Sequence, residues 1–281
     1  MNPTRSDPAT PLSPHPDALN ISPHRIGSVH YLNAVPLTYG LGDTVVLLPP
    51  SRLAVELHAG RLDAALLSIT EALFHPEHEI LDGVGILSRG PVFSVGLAHR
   101  QPLPEIRRIH LDTASCTSVN LLRILLDAQG LHPEFTPLDR YDQAPSLDNV
   151  LLIGNAAIDF RRNEGCIDGQ PGRSGHQWLD LGTLWQEQEK LPFTYAAWVL
   201  QRNAPSALRR QLLDSAQAGL AALPSIVASR SEYDLPFRQA YLGGYIQYLM
   251  DAPAREGIRR FATHLARVSG RPVYPPRFVQ P

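Results

Sequence analysis

The segment Ser115-Cys116-Thr117-Ser118 sets three hydroxyls directly before the apolar run Val119 to Leu126. Hydroxyls and free backbone N–H groups at a helix N-terminus form an anion site, which the helix dipole strengthens. Capping alone would need only one of the three, so either capping or the binding of a carboxylate or phosphate accounts for them. A second polar position stands in YLNAVPLTYGL, where Tyr31 and Leu32 are strand formers and Asn33 arrives just ahead of Pro36. Its amide both donates and accepts, so Asn33 either meets a ligand at a strand end or closes a turn onto its own backbone. Ser68 and Thr70 end the run LDAALLSIT, and Ser94 interrupts PVFSVGL. Each hydroxyl can point into a cleft or bond a neighbouring backbone group. Asn155 follows LLIG and can contact a ligand or start a helix.

Other chemistries find little support. His75-Pro-Glu-His78 has the composition of a metal pair, but Pro76 breaks the helical geometry that would put both imidazoles on one face, and no third ligand is marked. No metal is expected. The glycines of GVGILSRG do not match a dinucleotide or phosphate-loop spacing, and no G-x-S-x-G elbow occurs. Cys116 and Cys166 lie far apart with no C-x-x-C, so neither a zinc knuckle nor a disulfide framework is indicated, and a reduced compartment fits. Lys190 is the only lysine among 25 basic residues and sits in the polar run QEQEK, which leaves lysine chemistry one candidate in a surface position.

The elements that must position these groups follow from the patterning. Short apolar runs alternate with amphipathic stretches, which predicts an α/β fold with largely parallel strands. RIGSVHY, TVVLLPP, LDAALLSI, GVGILS, PVFSVGLAH, RRIHLD, VLLIGNAAI and LPFTYAAWVLQ read as strands, SRLAVELHAG as a helix capped by Ser51, and SCTSVNLLRILLDAQG as a helix ended by Gly130. NEGCIDGQPGRSGHQ reads as a surface loop, and the chain after Ala204 as nearly all helical. Two crossings, near 99–104 and 194–202, divide the chain into an outer lobe of 24–100 and 198–281 and an inserted lobe of 101–197. A ligand cleft is expected between them. Residues 1–23, rich in Pro, Ser, Thr and Asn, predict a flexible tail without a secretory signal. A net charge of −2 gives no basic field for nucleic acid, and no run is long and apolar enough to span a bilayer.

Taken in order, YLNAVPLTYGL, LDAALLSITEAL, GPVFSVGL, SCTSVNLLRILL, LLIGNAAI and DLGTLWQEQEKLPFTYAAWV resemble the chorismate dehydratases of the futalosine route to menaquinone. The resemblance runs from about Arg25 to the C-terminal helices. It implies a two-lobed fold like that of type II periplasmic solute-binding proteins, a cytoplasmic location, no metal or organic cofactor, and chorismate as the small-molecule partner. It also implies dehydration to 3-[(1-carboxyvinyl)oxy]benzoate. Asn33 falls on the asparagine of the family's Y-L-N motif and is the expected catalytic residue. Ser115, Thr117 and Ser118 are expected to hold one carboxylate, with Ser68 and Ser94 contributing across the cleft and Asn155 beside them. Arg89, next to GPVFS, is a candidate substrate arginine. The family usually has I-G-D where this chain reads Ile153-Gly154-Asn155, which argues against a required general base there. A binding protein of the same fold, without turnover, is the alternative.

Overall fold

The computed structural model describes residues 24–166 and 169–280, and the expected tail lies outside them. The chain enters through β1 (Ile26–Ser28) and turns at once into a 3-10 helix over Leu32–Thr38, whose Leu32, Ala34, Pro36 and Leu37 are buried. The strand expected over RIGSVHY is therefore short, and Asn33 sits in the first turn of that helix. After β2 (Val45–Leu47), α1 (Pro50–His58) opens with Pro50 at its first position, and Ser51 does not cap it. Proline serves there because its φ is preset and the missing N–H would have had no partner. β3 (Ala64–Ser68), α2 (Ile69–Phe74), the long β4 (His78–Ser88) and β5 (Val95–His99) follow.

The next stretch carries β6 (Arg108–Leu111), α3 (Cys116–Asp127), β7 (Glu134–Pro137), β8 (Asn149–Ile153), α4 (Gly154–Glu164), β9 (Gln177–Asp180) and α5 (Leu181–Glu189). The segment between α4 and β9 is not all surface, since Cys166 and His176 are buried. β10 (Phe193–Gln201) leads to α6 (Ser206–Ala221), α7 (Leu223–Ser229) and α8 (Leu235–Ala240). β11 (Gln247–Met250), α9 (Ala252–Val268) and β12 (Phe278–Val279) complete the fold, so the C-terminal part returns two strands that its helical patterning hid.

The strands form two sheets. One has seven strands, in the order β11-β4-β10-β3-β1-β2 with β12 beside β4; the other has five, in the order β7-β6-β8-β5-β9. β10 lies between β3 and β4, antiparallel to both, which accounts for its nearly unbroken apolar run. Val95–His99 pairs with β8 and β9, so the chain changes sheets between Ser88 and Val95, ahead of the expected 99–104. It returns with Phe193, whose register partner is Ser88, and the whole of 193–201 belongs to the seven-stranded sheet. The expected boundary at 197 therefore cuts through β10, and the one at 100 falls after β5 has already joined the five-stranded sheet. The physical reason is that PVFSVGLAH reads as one strand, whereas a tight turn at its start sends the chain across. One apolar core joins residues of both sheets, among them Leu66, Trp198, Leu97 and Leu151. Among the described residues no helix is long and apolar enough to cross a membrane.

Candidate active site between the lobes

Both sheets contribute to one narrow cavity, with about 80 Å3 of space open to water. Asn33, Ser68 and Tyr195 line it from the elements of the seven-stranded sheet, and Ser94, Ser115, Ser118 and Gly154 from those of the five-stranded sheet. The structure thus brings together Asn33, Ser68, Ser94, Ser115 and Ser118.

Asn33 is held through its amide nitrogen, which donates to the Tyr241 hydroxyl at 3.2 Å; Tyr241 donates in turn to Ser94 Oγ at 2.9 Å. The Asn33 Oδ1 atom is buried and has no hydrogen-bond partner. Burial pushes the Tyr241 hydroxyl up to about 12, against the pull of its Ser94 and Asn33 hydrogen bonds, so it stays protonated. Tyr241 lies in a π-helical turn, Tyr241–Tyr245, of the kind that often accompanies functional sites.

Ser94 is presented by backbone strain. Its N–H donates to the Val92 carbonyl at 2.8 Å across Phe93, whose φ is +67°, a tight γ-turn in the left-handed region. Such a conformation costs on the order of 1–3 kcal/mol and persists where neighbours over-determine it. Asp180 does so: its carboxylate accepts the N–H groups of Val92 at 3.1 Å and Phe93 at 2.8 Å while also capping α5 through the Thr183 N–H at 3.0 Å. Burial raises the Asp180 carboxyl above its ordinary range, and those backbone bonds oppose the shift. The Arg161 guanidinium packs 4.1 Å from the centre of the Phe93 ring.

Ser115 is the N-cap of α3, accepting from the Ser118 N–H at 3.3 Å and the Ser118 hydroxyl at 3.2 Å. Asp112 anchors the approach to this helix by accepting from Ala114 N–H at 3.0 Å and from the Tyr141 hydroxyl at 3.1 Å. The N-terminus of α4 reaches the same cavity through Ile153 and Gly154, the latter at φ +55°, which glycine adopts without steric cost. Two helix N-termini therefore place partial positive charge on one space.

Thr117 and Asn155 depart from expectation. Thr117 is fully buried and outside the cavity lining; its hydroxyl accepts the Thr70 N–H at 3.0 Å, donates to Thr70 Oγ1 at 3.0 Å and contacts Ser68 Oγ. The Thr117 N–H donates to Ser68 Oγ at 3.1 Å, so this residue ties α3 to the end of β3. Asn155 is exposed at the second position of α4, in a separate groove with Tyr141 and Asp159. Arg89 pairs with Asp251 at 2.6 Å near the surface and does not line the cavity.

Among the described residues, no Asp, Glu, His, Lys or Arg side chain lines this cavity. Its titratable lining groups are Tyr31 and Tyr195, both raised, chiefly by burial and then by the nearby carboxylates of Asp112 and Asp180 respectively, so both remain neutral phenols. Tyr195 also shares a hydrogen bond with Ser88 Oγ at 3.2 Å. Sequence reasoning missed Tyr195, Tyr241, Asp112 and Asp180. Asp180, followed three residues on by Thr183 at a helix start, carried a capping signal that could have been read.

The sequence pattern of a menaquinone biosynthesis family matches residues 24–267. The chain belongs to that family. It is 31% identical over 274 residues to the chorismate dehydratase of Thermus thermophilus, covering 90% of this chain and 99% of the relative. Solved structures of similar fold include protein AF1704 from Archaeoglobus fulgidus, with a TM-score of 0.65, 16% identity, and coverage of 88% of this chain and 97% of that one. The alkanesulfonate-binding protein SsuA of Xanthomonas axonopodis pv. citri is also similar, with a TM-score of 0.65, 14% identity, and coverage of 92% and 98%. These likenesses establish a two-lobed fold of the periplasmic-binding-protein kind.

Proposed function

We propose that this protein is a cytoplasmic hydro-lyase of menaquinone biosynthesis that converts chorismate into 3-[(1-carboxyvinyl)oxy]benzoate. Its lobes are read from the sheets as 24–88 with 193–280 and 95–180, the substrate lying between them. The observation that carries the reading is the buried, unpartnered Oδ1 of Asn33 on the wall of a cavity whose other polar groups are hydroxyls and helix N-termini. An unsatisfied buried acceptor costs about 1–3 kcal/mol, and the ring hydroxyl of chorismate can relieve that cost by donating to it.

Elimination requires loss of the hydrogen on the ether-bearing ring carbon and departure of the neighbouring hydroxyl. The ring carboxylate acidifies that hydrogen through the intervening double bond and takes up the charge that develops. Ser115, Ser118 and the α3 N-terminus are suited to hold a carboxylate as this charge grows. With no charged side chain of the described residues on the cavity wall, the substrate's side-chain carboxylate is the base in this reading. It removes the ring proton, the electron pair enters the ring, the carbon–oxygen bond breaks, and the departing hydroxyl takes the proton to leave as water. Asn33 orients that hydroxyl, and the protein acts by positioning and by excluding solvent.

The test is purified protein with chorismate, followed by mass spectrometry for loss of one water and by the rise of the aromatic ultraviolet band, alongside Asn33→Ala. Wild type should form the product, and the variant should bind chorismate while losing at least about 100-fold in kcat, on the order of 3 kcal/mol of barrier. Tight binding by wild type without product would make the protein a ligand sensor. Full turnover by Asn33→Ala would remove Asn33 from the chemistry.

A further inference from the structure

A cluster of histidines outside the cavity takes no part in this reaction. His58 ends α1, while His75 and His78 flank the Pro76-Glu77 turn between α2 and β4. The sequence marks no third ligand because that ligand comes from another element: α1 lies beside the turn, and histidines on a turn need no shared helix face. The rings of His58 and His75 are 4.6 Å apart, and those of His75 and His78 4.9 Å, centre to centre. Glu77 Oε1 sits 3.3 Å from both His58 Nδ1 and His75 Nδ1. Donor atoms of His58, Glu77 and His78 lie within 4.8 Å of one another.

The second observation is His78 itself. It is 4% exposed, and neither ring nitrogen forms a hydrogen bond of good geometry. A buried imidazole has two ring nitrogens, and the chain offers at most one carbonyl acceptor, so the other nitrogen calls for a partner from outside the chain.

We infer that His58, Glu77 and His78, with His75 as a fourth donor, form a binding site for a divalent transition metal of the zinc class. Imidazole nitrogens and one carboxylate oxygen suit such an ion, which takes four ligands at roughly 2.0–2.2 Å. His78 forms the buried floor. His58 and Glu77 form the mouth, with side chains 57% and 41% exposed, and these can rotate inward to close the shell. The carbonyl of Glu71 faces the His78 ring and is the acceptor that would fix its tautomer. The ion would tie the end of α1 to the start of β4. It would lie at the far end of α2 from Ser68, roughly 9 Å along the helix at 1.5 Å per residue, and so outside the reaction.

The test is titration of the metal-free full chain with Co2+, read by visible absorption, and displacement by Zn2+ against a chromophoric chelator. One equivalent should bind, and Zn2+ should raise the melting temperature. His58→Gln and Glu77→Gln change exposed side chains; each should weaken binding at least tenfold and leave chorismate turnover unchanged. Absence of binding by the unaltered protein would overturn the inference. So would affinity that survives both substitutions, which would place the ion elsewhere on the chain. Metal affinity is read independently of product formation, so this inference and the dehydratase reading can fail separately.

Discussion

Asn33, Tyr241 and Ser94 form one chain of hydrogen bonds, 3.2 and 2.9 Å long, that joins a 3-10 helix, a π-turn and a strained γ-turn from both lobes. Tyr241 does not line the cavity, so its effect on catalysis would run through Asn33 and Ser94. Tyr241→Phe keeps the ring, which stacks on Phe237 at 5.6 Å, and removes only the hydroxyl. Kinetics on this variant should show kcat lowered about 10- to 100-fold, about 1.4–2.7 kcal/mol, with KM nearly unchanged. A rise in KM alone would assign Tyr241 to binding. Asn33 and Ser94 were legible because a polar residue stands out in an apolar strand pattern. Tyr241 was not, since a tyrosine in a helical apolar stretch reads as core. The three hydroxyls of SCTS look equivalent in sequence but separate on the helix. Ser115 and Ser118 are three residues apart and share a face, while Thr117 is turned about 100° from Ser118 toward Ser68 and Thr70.

The helix that carries Asn33 is positioned by α6. Ser215 Oγ donates to the carbonyls of Leu37 at 3.2 Å and Tyr39 at 2.8 Å, and Gly219 allows close approach of the backbones. A Cβ at Gly219 would stand 1.9 Å from the Pro36 carbonyl oxygen. Glycine to alanine inside an exposed helix normally stabilises by up to about 1 kcal/mol, but here the added methyl must push the two elements apart. Gly219→Ala should therefore lower both the melting temperature and kcat, measured by calorimetry and steady-state turnover; an unchanged kcat would show that Asn33 tolerates movement of its helix. At this scale most strands and the helix α3 were readable from period and length. The sheet to which Val95–His99 belongs was not. Strand pairing is a long-range property, and the reversal at Phe93 depends on a buried carboxylate 87 positions later in the chain.

Among the described residues no charged side chain lines the cavity that the proposed dianionic substrate would enter. Two helix N-termini and several hydroxyls take the place of charged side chains, and in the proposed reaction the base is the substrate itself. No cavity-lining group of the protein is then expected to change charge near neutrality, because Tyr31 and Tyr195 are both raised above their ordinary phenol values. Tyr241, behind the wall, is likewise held near 12. Carboxylates of the free substrate titrate near 4, well below that range. The most direct measurement is kcat/KM for chorismate from about pH 6 to 9, which reports ionisations of free protein and free substrate. A plateau across that interval is the expected result. An inflection near neutral pH that is absent from the binding of chorismate would reveal a protein base at work and contradict catalysis by positioning alone.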